Sequence, residues 1–242
     1  MFSILRKEIN SFLSSLIAYI VIIVFLVAIG LFMWVFPDSS VLEYGYADMQ
    51  TLFNMAPWVF LFLIPAITMR TFAEERKAGT IELLLTKPLT DLQIILGKFF
   101  ASWLLVLFAL LPTLVYYFSI YRLGQPQGNI DSAAVAGSYI GLMFLAGVFT
   151  AIGIFASAIS ENQIVSFIIA LFLCFVIYTG FDQIASINIW GTWSYLIGQL
   201  GISAHYMAIS KGLIDSRDVL YFLSVITIMI VSTKLVLESR KW

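Results

Sequence analysis

Residues 14–36 read SSLIAYIVIIVFLVAIGLFMWVF, 23 residues without a single charge. A helix needs roughly 20 predominantly apolar residues to cross the hydrocarbon core of a bilayer, so this stretch is long enough to span. Arg6 and Lys7 precede it, as basic residues precede a secretory signal. A signal-peptide core covers only about 7–15 residues, however, and no small-x-small cleavage site follows this run. The stretch is expected to stay in the chain as its first membrane span.

Five further apolar stretches lie downstream, near residues 55–72, 98–121, 136–159, 164–185 and 217–236. None alternates with the period of two that a barrel strand would show. Within lipid every N–H and C=O must find a partner inside its own segment, which selects helices. Composition agrees: 61% of the 242 residues are hydrophobic and 11% are charged, against about a quarter charged in a soluble domain. The expected fold class is an all-α membrane protein with six transmembrane helices. The whole chain, 1–242, reads as one unit, with no internal repeat and no soluble module.

Lys and Arg set the expected orientation. With the N-terminus inside, the inner side receives Arg6, Lys7, Arg70, Arg76, Lys77, Lys87, Lys98, Lys234, Arg240 and Lys241, and the outer side Arg122, Lys211 and Arg217. Ten against three is the asymmetry of the positive-inside rule, and it places both termini in the cytoplasm. The acids Asp38, Glu43, Asp48 and Asp131 fall outside, which that rule permits.

Ahead of the first span, Phe2, Leu5, Ile9 and Phe12 recur at three- or four-residue spacing, with Ser3, Arg6, Lys7, Asn10 and Ser11 opposite. The pattern describes an amphipathic helix lying in the headgroup layer, the alternative being an uneven start to the first span. In the fourth span Gly137, Gly141, Gly147, Ala151, Gly153 and Ser157 make a small-residue face that lets backbones approach. It suits packing within the bundle, or a seam between two copies. Between spans five and six, residues 186–216 are too polar to cross and too apolar for an ordinary loop. Trp190, Trp193 and Tyr195 suit the outer interface. Gly201 breaks the segment, and Ser203 can cap a second short helix that ends at Gly212.

The punctuated loop between spans two and three, residues 73–91, differs from every other connection. Glu74, Glu75, Arg76 and Lys77 come in succession, Gly79 can end a helix in the left-handed region, and Thr80 can cap another. Glu82 falls in that helix's first turn, Ile81, Leu84 and Leu85 share a face, and Pro88 stops it. Thr90 and Gln93 then have capping-box spacing. A short capped helix held across the inner membrane face is a docking element, or one of the charged inner loops that many polytopic proteins carry.

The run Glu74-Glu75-Arg76-x-x-Gly79-Thr80-x-Glu82-x-Leu84-Leu85-x-x-Pro88, followed by Gly97-Lys98, resembles the signature of ABC-2 type permeases. The plan of the chain is similar to theirs as well: an N-terminal elbow helix, six spans, this inner loop and short outer helices between spans five and six. Length and wording are most similar to the permeases of bacterial gliding-motility transporters. The resemblance implies that the loop is a coupling helix docked on a cytoplasmic P-loop ATPase. Glu74, Glu75, Arg76, Gly79, Thr80, Glu82, Leu84 and Leu85 would then touch that partner, with Arg6 and Lys7 as secondary contacts. It further implies a second permease copy or another membrane subunit in the bacterial inner membrane. ATP and magnesium would be bound by the ATPase, with no cofactor in this chain.

The residues exclude other chemistry. The one Gly-Lys pair, Gly97-Lys98, lacks the upstream glycine and the Ser or Thr of a P-loop. No catalytic or metal-ligand set is spaced for work: Cys174 is single, His205 is single, and no HExxH or GxSxG occurs. A net charge of −1 does not suit a nucleic-acid surface. Asp182 and Lys234 are the ionisable groups within spans, each near an end where it can snorkel. The competing class is a self-contained ion channel or secondary carrier, for which Pro57, Pro65 and Pro112 are the nearest signs of broken helices.

Overall fold

A computed structural model of the chain describes residues 1–80, 90–187, 191 and 193–239. These are 81% helical, without strands. In chain order the helices are α1 (Phe2–Leu13), α2 (Leu16–Trp34), α3 (Val41–Tyr44), α4 (Gln50–Thr68), α5 (Ala73–Lys77), α6 (Asp91–Leu110), α7 (Leu114–Leu123) and α8 (Ser132–Ile159). They continue with α9 (Gln163–Phe175), α10 (Phe181–Ala185), α11 (Trp193–Gly198), α12 (Ile202–Ile209) and α13 (Ser216–Glu238).

Five stretches are long and apolar enough to cross a membrane: Gln50–Lys77, Asp91–Leu123, Ser132–Ile159, Gln163–Ala185 and Ser216–Glu238. A sixth comes from the first apolar run. There α1 meets α2 at 68°, and the 19 residues of α2 alone reach about 28 Å at 1.5 Å per residue. The expected elbow followed by a span is therefore present.

The stripe by which α1 packs on the bundle only partly coincides with the apolar positions Phe2, Leu5, Ile9 and Phe12 that the sequence assigns to the headgroup layer. Its buried residues are Ile4, Glu8 and Phe12, while Phe2 is 82% exposed. Successive i, i+4 positions lie on one helix face, and two local features choose this face. Gly97 on α6 leaves room for Ile4, whose Cγ2 would lie 3.0 Å from an added Cβ, and Lys98 draws Glu8 inward. Phe2 is left on the outer side, where an interfacial helix meets acyl chains.

The fourth span, α8, is the hub. Of its membrane-crossing stretch 78% is buried, against 22% and 17% for the fifth and sixth spans. Its glycines face the chain's own helices, so the small-residue face serves the bundle. A Cβ at Gly137 would lie 2.9 Å from Gly212 Cα, one at Gly141 2.9 Å from Ile209, and one at Gly153 2.0 Å from Thr68 Oγ1. Because lipid tails are as apolar as Leu, helices associate in a membrane through such close packing and through hydrogen bonds. Trp103 Nε1 donates to the Met143 carbonyl at 2.9 Å, and Tyr206 Oη donates to the Phe53 carbonyl at 2.6 Å.

The proline expectations divide. Pro57 and Pro65 lie inside α4, which runs on through both. At Pro112 the third span passes through a 3₁₀ turn over Leu111–Thr113, between α6 and α7, and still continues as one span, Asp91–Leu123. The fifth span carries a feature absent from the sequence reading: a π-helical turn over Val176–Gly180 joins α9 to α10. Two short helices, α11 and α12, occupy the segment before the sixth span, as expected. The cap of the second is Gly201, not Ser203, and the helix ends at Ile209, with Gly212 beyond it at φ +83°. Ser203 cannot cap α12 because it lies one residue inside it, where its hydroxyl donates to Asp182 instead. Trp190, Lys87, Arg240 and Lys241 lie outside the described residues.

An added methyl at Gly153 meets both the hydroxyl and the Cβ of Thr68, at 2.0 and 2.8 Å, so a rotamer change cannot relieve it. Gly153→Ala is expected to lose about 1–3 kcal/mol, the usual cost of overpacking, read as a lower unfolding midpoint of the purified protein in detergent. Thr68→Ala in the same chain should restore only part of that loss.

Candidate functional site

The punctuated loop begins where the second span ends. α4 stops at Thr68, and the backbone turns through 69–72 before α5 starts. A helix start leaves donors without intrahelical partners, and here α8 supplies one acceptor for two of them. Ser157 Oγ accepts from Phe72 N at 3.0 Å and Ala73 N at 3.1 Å, and donates to the Met69 carbonyl at 3.0 Å. One hydroxyl of the small-residue face thus fixes the direction in which α5 leaves the bundle.

α5 ends as the sequence predicts. Gly79 has φ +67°, and its N–H donates to the Arg76 carbonyl at 3.0 Å while Thr80 N donates to the Glu75 carbonyl at 2.9 Å. These are the paired bonds of a Schellman cap, which needs a left-handed residue at that position. Thr80 Oγ1 also turns back to the Glu75 carbonyl, at 3.2 Å. The helix predicted after Thr80, with Glu82, Leu84 and Leu85, lies outside the described residues. At residue 90 the chain resumes with the expected capping box: Thr90 Oγ1 accepts from Gln93 N, and Gln93 Oε1 accepts from Thr90 N, both at 3.3 Å.

Between α1, the turn at 69–72, α5 and α6 lies a four-charge network. The Lys98 side chain is 1% exposed. Its Nζ donates to Glu8 Oε1 at 2.9 Å and to the Thr71 carbonyl at 2.6 Å, and stands 2.9 Å from Glu75 Oε2. The ammonium also lies 5.0 Å from the centre of the Phe72 ring, within cation–π range. Lys7 completes the set from outside, 2.9 Å from Glu75 Oε1 and 3.5 Å from Glu8 Oε1. Desolvation works against the charge of Lys7, but its bond to Glu75 and the charges of Glu75 and Glu8 outweigh that and hold its pKa above the ordinary lysine value. Two cations and two carboxylates balance, which is what a buried ionic cluster requires. A cavity of about 220 Å³ adjoins the network, with Arg70, Glu74 and Ser11 on its walls. Arg70 Nη1 reaches Ser15 Oγ at 3.4 Å, and its guanidinium lies 5.2 Å from the Phe12 ring centre.

The sequence-predicted residues therefore separate into groups. Glu75 and Lys7 are in the network. Glu74, Gly79, Thr80 and Arg6 are exposed, and Arg76 is half-buried. Glu8, Thr71, Lys98 and Ser157 are essential to the geometry without having been predicted as site residues. Lys98 was visible as the last letter of the Gly97-Lys98 signature. Glu8 could have been found as an acid in register with Ile4 and Phe12. Ser157 gave no signal beyond its smallness.

The network joins α1, the turn at 69–72, α5 and the third span through Lys98, and Ser157 ties the start of α5 to the fourth span. Lys98→Met leaves two carboxylates facing each other and should lower stability by about 3–5 kcal/mol, the cost of breaking a buried pair from one side. Lys7→Ala, at a side chain 57% exposed, should cost at most about 1 kcal/mol. Unfolding midpoints of the two variants, measured in one detergent, check that order.

A comparison with protein families matches residues 2–231 to the one described as ABC-2 family transporter protein. The comparison with curated proteins returned no match. The family match covers nearly the whole of a chain whose helices can cross a membrane several times. The chain is a multi-pass membrane protein and belongs to the ABC-2 transporter family.

Proposed function

We propose that this chain is the non-catalytic permease subunit of an ATP-binding cassette transporter in a bacterial inner membrane. Both termini and α5 are on the cytoplasmic side, and residues 73–91 form its contact with a P-loop ATPase. The observation that carries this reading is the junction just described: the start of the loop is anchored on the elbow helix and on two spans at once. An ordinary charged loop has no use for a buried ammonium with three acceptors.

ATP and magnesium are held by the partner, and the partner's ATP cycle supplies displacement. The residues of this chain transmit it. The Schellman cap at Gly79 keeps the reversal after α5 tight, so movement of the docked segment reaches Glu75 without being taken up by slack backbone. Glu75 draws on Lys98 and so on α6, and the Ser157 bonds draw on α8. A rigid-body or gating shift of the bundle is the expected result. Two such units, as a homodimer or with another membrane subunit, would line the pathway. Export is the expected direction, by analogy with the family. The similarity to gliding-motility permeases points to a role in motility or the cell envelope.

Tagged chain purified from native membranes in mild detergent should bring down a P-loop ATPase. Changing Glu82 and Leu84 together to Ala should reduce the recovered ATPase by about tenfold or more, as loss of central contacts does, with the unfolding midpoint of the chain unchanged. Recovery of the ATPase at the wild-type level would overturn the assignment of those residues. A chain that purifies alone would favour a self-contained channel or carrier.

A further inference from the structure

At the face of the bundle opposite α1 a second polar site lies apart from the coupling junction. A cavity of about 540 Å³ opens between α4, the fifth span and α12. That is within the range of about 300–1,000 Å³ typical of ligand pockets. Among the described residues its single charged lining group is Asp182, the second residue of α10, directly after the π-helical turn. Such turns occur frequently at functional sites, where they re-aim the side chains that follow.

The surroundings of Asp182 are specific. Ser203 Oγ donates to its carboxylate. Gly201 lets α12 close over it, since a Cβ there would lie 3.5 Å from Asp182 Oδ1 and 3.2 Å from Phe181 Cβ. An ionised carboxylate has about four lone-pair positions, and one hydroxyl leaves most of them open. Among the described residues no Lys, Arg or His forms an ion pair with it, and none lines the cavity. The walls beside it are aromatic. Trp58 and Tyr178 stand edge to face with centroids 5.9 Å apart, and aromatic faces attract cations.

A second space adjoins the cavity at Met55 and Trp58. Met55 and Trp58 also line an apolar groove of about 540 Å³ between the first, second and fifth spans, which runs past Phe62, Leu63 and Phe167. One acid at the head, two aromatic rings beside it and an apolar channel behind are complementary to one class of molecule. The geometry points to Asp182 and Trp58 as the head-group site for a cationic amphiphile, with its apolar part along the groove toward Phe62. That such a molecule is cargo rests on the permease reading; the binding itself does not.

The probe is radiolabelled tetraphenylphosphonium, with the purified full-length chain in a non-ionic detergent. Wild type should bind it saturably, and unlabelled decyltriphenylphosphonium should displace it at lower concentration than tetraphenylphosphonium does, because the decyl chain enters the groove. Asp182→Asn should weaken binding by about tenfold, the loss of one charge–charge attraction at a partly shielded site. Tetraphenylborate, of the same shape and opposite charge, should not compete with wild type. That comparison needs no variant and so stands even if Asp182→Asn fails to fold. Equal competition by tetraphenylborate, or wild-type affinity in a folded Asp182→Asn chain, would overturn the site. No binding by a chain that still brings down its ATPase would remove this site and leave the permease function standing.

Discussion

A lysine ammonium with 1% of its side chain exposed, at the edge of an apolar bundle, cannot remain charged without partners. Moving an ion out of water costs several kcal/mol even after relaxation, so Lys98 imposes a condition on everything near it. It needs two carboxylates and a carbonyl, and no single element provides them. Glu8 comes from the elbow, Glu75 from the helix after the second span, and the Thr71 carbonyl from the turn between. Satisfying one side chain thus determines the angle of the elbow against the third span, the position of α5 and the course of the chain between them.

The second constraint is the backbone itself. Where α4 gives way to α5, N–H groups are left over in a buried turn, and irregular backbone is tolerated in a membrane protein only when protein supplies the partners. Ser157 does so with one oxygen. It can approach because Gly153, one turn earlier, lets Thr68 lie against α8. The same small-residue face therefore does two things: it packs the spans, and it directs the charged segment out of the bundle toward Lys98. Packing and polar satisfaction act on the same few positions.

These two constraints explain how far the sequence could be read. The spans were legible because lipid demands long apolar helices, and length alone reveals them. The caps around Gly79 and Thr90 were legible because backbone geometry admits few residues there. The buried stripe of α1 was not, because apolar periodicity ranks Phe2, Leu5 and Ile9 above an acid, and only the partner on α6 makes Glu8 the inward residue. The π turn in the fifth span was invisible for a related reason. Val176–Gly180 has no breaker other than the glycine at its end, and the extra residue is accommodated by tertiary packing against Phe149 and Trp58. A helical period describes one helix at a time, whereas these features belong to pairs.

The two faces of the bundle differ in kind, and the difference bears on transport. On the α1 face the four charges around Lys98 are paired, Ser157 holds the backbone at Phe72 and Ala73, and Gly97 and Gly153 lie close against Ile4 and Thr68, so the elements there have little slack. On the opposite face the fifth span is interrupted, two short helices are joined by glycine-containing turns, and a cavity separates them from α4. Short helices have few backbone bonds to break when they shift, and α11, with no buried residue, belongs to the low-stability end of a structure. On the coupling proposed above, a push received at the α1 face would be expressed at the opposite one. The hub between them is α8, which holds Ser157 and Gly153 near one end and Gly137 and Gly141 near the other. Close packing along its 28 residues lets it move as one body, which the proposed coupling between the α5 segment and the Asp182 cavity would require.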